Sequence, residues 1–179
     1  LAWVLEAVNK GYISFYPMFV AVLVFFFLYR NDRYEKAAFT VMCSFFIFYL
    51  VYIFLPVAGP QFYFQAVSPE SVENGIFPSL GTYFNHRTDM LPSPGYADGF
   101  FCHLVEWAQD SGERPTAAFP SSHIGITFIL LYLIRPQSKR FFFILLPFAF
   151  LLTLATVYIQ AHYLVDAIAG ILASYPVFC

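Results

Sequence analysis

Charge is what this sequence most lacks: 11% of its 179 residues are Asp, Glu, Lys or Arg, where a soluble domain carries about 25%. A water-facing surface of this size needs more, so a soluble globular domain is excluded. Cysteine is scarce too, at three residues, which excludes a disulfide scaffold. Cys43 lies in an apolar run, Cys102 in a polar segment and Cys179 at the end of the last run, so no disulfide is expected. The formal charge of −2 excludes a nucleic-acid partner. No zinc-ligand spacing, glycosylation sequon, internal repeat or low-complexity tract is present.

What is present is apolar and aromatic. The 24 Phe and 13 Tyr forbid disorder. Residues 11–29, 37–57, 115–134, 141–161 and 163–179 contain no charged side chain except Asp166. A hydrocarbon core about 30 Å thick takes roughly 20 apolar residues of helix, so these runs read as five spans. Residues 1–10 read either as a short interfacial helix or as the tail of a further span. The chain begins at Leu1 and stops inside an apolar run, so more sequence is expected at one or both ends. The expected fold is all-α: a polytopic membrane bundle of five to six transmembrane helices, with residues 1–179 forming one domain.

Basic residues set an expected orientation. Arg30, Arg33 and Lys36 fill one short loop, and Arg135, Lys139 and Arg140 fill another. Counting spans puts both loops on one side, which the positive-inside rule makes cytoplasmic. Segment 58–117 then lies outside as an acidic loop or lid. Within it, 98–110 reads as an amphipathic helix, capped by Asp98, with Phe101, Leu104, Val105 and Ala108 on its apolar face. Such a helix either leans on the bilayer as a lid or simply packs over the helix ends.

Ionisable groups at a membrane boundary are costly, which makes them functional candidates. Two places qualify. Ala118-Phe119-Pro120-Ser121-Ser122-His123 opens a span, and its Pro and Ser residues suit a helix N-terminus, where free amides and the dipole favour an anion. His162 and Asp166 are spaced i, i+4, which puts them on one helix face, so Asp166 can hold the imidazole in one tautomer and stabilise its cationic form. Both places fall at the expected outer face. Two histidines, one with a carboxylate partner, beside a helix N-terminus suit phosphate chemistry: one attacks phosphorus and the other protonates the leaving oxygen. Two His and one Asp are too few for a metal site, so no metal or cofactor is expected.

Pro120-Ser121-Ser122-His123 resembles the P-S-G-H motif of the type 2 phosphatidic acid phosphatase superfamily, the lipid phosphate phosphatases. Tyr158 through Gly170 resembles that family's third motif, S-R-x5-H-x3-D. The resemblance covers 37–179 and implies a six-helix bundle. It implies His162 as the nucleophile, Asp166 as its orienting partner and His123 as the general acid, with Ser121 and Ser122 holding phosphate oxygens. Departures stand beside the matches. Gln61 occupies a place where related sequences often carry Arg, and Ala155-Thr156 stands where Ser-Arg is expected. Both remove a cation that would neutralise phosphate. Arg114 is the nearest substitute, and Arg87 a more distant one; Arg114 and Gln61 join the two serines as the expected phosphate-binding residues.

The third motif, with Thr156, Tyr158, His162 and Tyr163, also resembles the inositol phosphorylceramide synthase branch, which implies transfer of a phospho-head group. The leading expectation is a membrane lipid phosphatase that hydrolyses a phosphomonoester or pyrophosphate at the extracytoplasmic face. The alternatives are a lipid phosphotransferase and a non-catalytic lipid-binding relative. The expected partners are the bilayer and a lipid phosphate.

Overall fold

A computed structural model describes residues 2–67, 69–94 and 99–178. Among these residues the regular structure is helical, apart from one isolated bridge between Val57 and Ala117. The longer helices are α1 (Ala2–Ile13), α2 (Phe15–Tyr29) and α3 (Tyr34–Phe54). Two short helices follow, α4 (Pro60–Ala66) and α5 (Pro69–Glu73), then α6 (Phe100–Gly112), α7 (Ser122–Ile134), α8 (Lys139–Tyr158) and α9 (Leu164–Phe178). This is the all-α membrane bundle that the apolar runs predict.

Helix α7 is the axis of the bundle. Its sequence is apolar on every side, as a helix enclosed by others must be. Ile124, Ile126, Ile129, Leu130 and Ile134 are all fully buried. Helices α2, α3, α8 and α9 pack around it. Their outer faces stay apolar: Phe27, Phe39, Ile53, Phe143, Phe150 and Leu172 are each more than half exposed. Exposed apolar faces on every outer helix are what lipid, not water, solvates.

Two single helices are long and apolar enough to cross a bilayer, Asn31–Phe54 and Lys139–Tyr158. Trp3–Ile13 and Phe15–Tyr29 meet that test only as a pair, bent by 43° at Ser14, which is the geometry of a broken span or of a re-entrant loop. Pro17 explains the bend, because it has no N–H to offer the Ile13 carbonyl and its ring crowds that turn. The Ser14 hydroxyl bonds back to the Gly11 carbonyl at 2.6 Å. Residues 2–10 therefore belong to α1, which packs on α8 and α6.

The runs 115–134 and 141–161 are not helical throughout. Helix α7 starts only at Ser122 because a turn at 115–116 leads into Ala117 and Ala118, which pair with Val57, Ala118 N–H donating to the Val57 carbonyl at 3.1 Å. Helix α8 stops at Tyr158, followed by a turn in which Gln160 adopts φ 61°. Apolar composition sets the length of a run but does not mark where its backbone turns.

Helix α6 begins at Phe100, two residues after the expected start, with Gly99 at the cap position. The expected cap, Asp98, lies outside the described residues, as does Cys179. The buried face of α6 is Cys102, Val105, Ala108 and Gln109. Glu6 of α1 supplies what its N-terminus needs, accepting from Phe101 N–H at 3.0 Å and Cys102 N–H at 3.3 Å. A carboxylate on the first-turn amides of a helix satisfies orphan donors and complements the dipole. Cys43 and Cys102 are free thiols.

Candidate active site

Three stretches of irregular backbone are stitched together at one end of the bundle. Gly59 N–H donates to the Pro115 carbonyl at 3.1 Å, and Gln61 N–H to the Gln160 carbonyl at 3.0 Å. Ser121 N–H donates to the Asp166 carbonyl at 3.0 Å. The ends of α3, α7 and α8 therefore meet, bringing the sequence-predicted residues into one region.

His162 sits in the turn between α8 and α9 at 5% exposure. Its backbone N–H donates to the Thr156 carbonyl at 3.1 Å. Its Nδ1 lies 2.8 Å from the Ala118 carbonyl oxygen. A carbonyl only accepts, so Nδ1 carries the proton and Nε2 keeps the free lone pair. Burial, helped by the nearby His123, pushes this imidazole down to about 3, so the ring is neutral at physiological pH.

Asp166 holds the turn from below. Its Oδ2 accepts from Tyr163 N–H at 2.8 Å and lies 3.9 Å from His162 Nδ1. Three residues into the helix and bonding back to the residue before it, Asp166 closes half of a capping box for α9. The closer partner of the imidazole is the Ala118 carbonyl, and the carboxylate stands just beyond it.

His123 occupies the first turn of α7. Its ring centroid is 6.1 Å from that of His162, 5.4 Å from Tyr12 and 4.8 Å from Phe15. Its Nδ1 is buried and has no hydrogen-bond partner among the described residues. Native structures leave few buried polar atoms unpaired, and a role in binding or proton transfer is one reason for an exception.

The two serines divide. Ser121 is fully buried, and its Oγ caps α7 by accepting from Ile124 N–H at 3.5 Å. Ser122 lines the cavity. Its N–H donates to the Tyr52 hydroxyl at 3.0 Å, and that hydroxyl donates to the Pro120 carbonyl at 2.9 Å. Tyr52→Phe would leave both groups unpaired, an expected loss of about 1–3 kcal/mol. Thermal unfolding in detergent checks this, and an unchanged midpoint would show that solvent meets both groups instead.

The candidate cations separate as well. Arg114 lines the cavity. Arg87 lies over the Tyr83 ring, 5.3 Å from its centroid, and is not a lining residue. Gln61 is 1% exposed, and both ends of its amide are engaged. Its Oε1 accepts from Gln109 Nε2 at 2.8 Å, and its Nε2 donates to Glu113 Oε2. Glu113 Oε1 accepts from the Tyr12 hydroxyl. Glu113, Tyr12 and Tyr52 carried no motif signal. A pairwise contact across such separations in sequence has no local pattern to announce it.

Ser122, His123, His162, Glu113 and Arg114 line one cavity of about 860 Å³. Phe19, Phe45, Tyr49 and Ile53 of α2 and α3 give it an apolar wall, and Phe15 of α2 reaches the histidines, its ring 4.8 Å from that of His123. Among the described residues no three His, Cys, Asp or Glu side chains converge as metal ligands.

Two adjacent histidines beside a helix N-terminus, in a cavity with an apolar wall, are an arrangement that can accept a phosphoester. The family model described as the PAP2 superfamily matches residues 2–178, and the chain belongs to that superfamily. Membership supports a lipid phosphatase or related function. No curated protein and no solved structure matches the chain.

Proposed function

We propose that this protein cleaves the phosphoester of a lipid through a phosphohistidine on His162. The observation that carries the reading is the His162 Nδ1–Ala118 carbonyl bond of 2.8 Å. It fixes the tautomer that leaves Nε2 as a nucleophile, in a ring adjacent to His123.

The chemistry has two steps. His162 Nε2 attacks phosphorus, a P–N bond forms, and the P–O bond to the lipid alcohol breaks. His123, in its protonated form, gives its proton to the departing oxygen. Water, losing a proton to His123, then attacks phosphorus and breaks the P–N bond. An acceptor alcohol in place of water gives a phosphotransferase, and the Thr156 and Tyr163 third motif favours keeping that outcome in view. In either case the apolar tail lies in the α2–α3 trough, where aromatic and aliphatic side chains replace its lipid neighbours. The basic loops favour placing this end of the bundle on the extracytoplasmic side.

The test is to trap the intermediate. Protein mixed briefly with a lipid labelled at phosphorus and quenched in base should retain label on His162, in an acid-labile, base-stable linkage. Turnover without label on any histidine would overturn the mechanism. Binding without turnover across a broad panel of lipid phosphates would leave the non-catalytic reading standing.

A further inference from the structure

The cavity is poorly matched to a bare phosphate dianion. Arg114 is its one cationic lining residue among those described, and Glu113 adds a carboxylate to the same wall. Gln61, which carries no charge, donates an amide hydrogen bond to that carboxylate. Tyr12 donates to its other oxygen. Burial pushes the Glu113 carboxyl up, and the two neutral donors oppose that by favouring its ionised form. A cation is the partner it lacks among the described residues, and each carboxylate oxygen has capacity for a further bond.

Its surroundings point to the ligand. Tyr16 lines the same cavity, its ring meets that of Phe15 edge-on at 5.5 Å, and Tyr12 bonds the carboxylate itself. Aromatic rings in one cavity with a carboxylate are the chemistry that recognises substituted ammonium. Tyr12 links this corner to the histidines, since its hydroxyl bonds Glu113 while its ring stands 5.4 Å from that of His123.

We propose that Glu113 is a specificity-determining residue that takes the ammonium of a zwitterionic phosphoester head group, with the phosphorus at His162 and His123. The proposal rests on the phosphoester reading above and names its substrate class. It narrows the expectation of a phosphomonoester or pyrophosphate to a phosphodiester. When Nε2 attacks and the bond to the lipid alcohol breaks, the head group stays on phosphorus, held at its far end by Glu113. Water or an alcohol then releases it by breaking the P–N bond.

A binding experiment separates this from the catalytic reading. Wild-type protein and a Glu113→Gln variant, each carrying His162→Ala so that nothing turns over, are loaded with a fluorescent phospholipid in detergent. The competitors are phosphatidylcholine, phosphatidic acid and an isostere in which tert-butyl replaces trimethylammonium. Soluble phosphocholine forms a further arm. With Glu113 present, phosphatidylcholine should displace the probe at least tenfold better than the isostere, about 1.4 kcal/mol. With Gln at 113 the two should fall within twofold, and phosphatidic acid should gain. A ratio near one in the Glu113 protein overturns the proposal even if the variant fails to fold, and so does a ratio that survives Glu113→Gln. If phosphocholine alone competes as well as the lipid, the head group binds without its tail, which still depends on Glu113. Turnover plays no part, so failed phosphohistidine trapping leaves this result intact.

Discussion

His162→Ala should lower turnover by about four orders of magnitude or more on any phosphoester that the wild-type protein cleaves, as loss of a nucleophile does elsewhere. The argument is geometric. Nδ1 is committed to the Ala118 carbonyl, so Nε2 is the only lone pair that the ring can bring to phosphorus. The burial that pushes this imidazole down to about 3 also keeps the lone pair free of a proton across the physiological range. No other imidazole replaces it from the same place, because His123 stands across the site on α7. His123→Ala should behave differently. A general acid contributes about 10²–10⁴-fold, and its loss matters most when the leaving oxygen is a poor one. Ester cleavage with an alkyl alcohol leaving should therefore collapse in His123→Ala, while a nitrophenyl ester keeps most of its rate. Release of alcohol from purified protein in detergent checks both variants. Equal losses on both esters would remove His123 from proton transfer, and undiminished turnover in His162→Ala would sink the nucleophile.

The sequence exposes this site where chemistry and membrane disagree. Asp166 is the one charge inside an apolar run, and it is 1% exposed in the fold. Its closeness to His162 is legible because the two lie four residues apart, although in the fold His162 sits in the turn before α9 and only Asp166 is helical. The apolar runs likewise reveal the helices, since a bilayer demands the same composition along a whole span. What stays hidden is non-local. Nothing near Ala118 marks its carbonyl as the partner of His162, because the contact spans two elements and uses a backbone atom. Glu113 reads as one more acid in an acidic segment until the fold sets it between Tyr12 and Gln61. Gln61 reads as a lost cation, whereas in the fold it is the donor that orients that carboxylate. The span boundaries were hidden for a related reason. Residues 115–121 carry no charge, like the helix they precede, and only the pairing of Pro115, Ala117 and Ala118 with 57–59 shows that the backbone turns there before α7 begins.

Gly170→Ala should damage this site from the far side of α9. A Cβ built on Gly170 would stand 2.5 Å from the Ser121 carbonyl oxygen and 3.4 Å from Gly125 N. The first distance is shorter than real Cβ contacts allow, and both neighbours are backbone, so no side chain can swing away to make room. Helix α9 must move off the start of α7. The bond from Ser121 N–H to the Asp166 carbonyl crosses that same contact, and Asp166 in turn holds Tyr163, next to His162. Overpacking of this kind costs about 1–3 kcal/mol, and misplacing a reacting group by about 1 Å can cost 10²-fold in rate. The expected result is a lowered unfolding midpoint together with a kcat reduced by about 10²-fold. KM should change less, because the α2–α3 trough is untouched. Gly125→Ala provides the contrast. Its Cβ would meet the Phe48 ring at 2.2 Å, a clash directed at α3 and away from the Ser121–Asp166 bond. That variant should lose comparable stability but a smaller share of kcat. If the two variants lose kcat in equal proportion, or if Gly170→Ala keeps full activity, the α7–α9 contact does not set the position of His162.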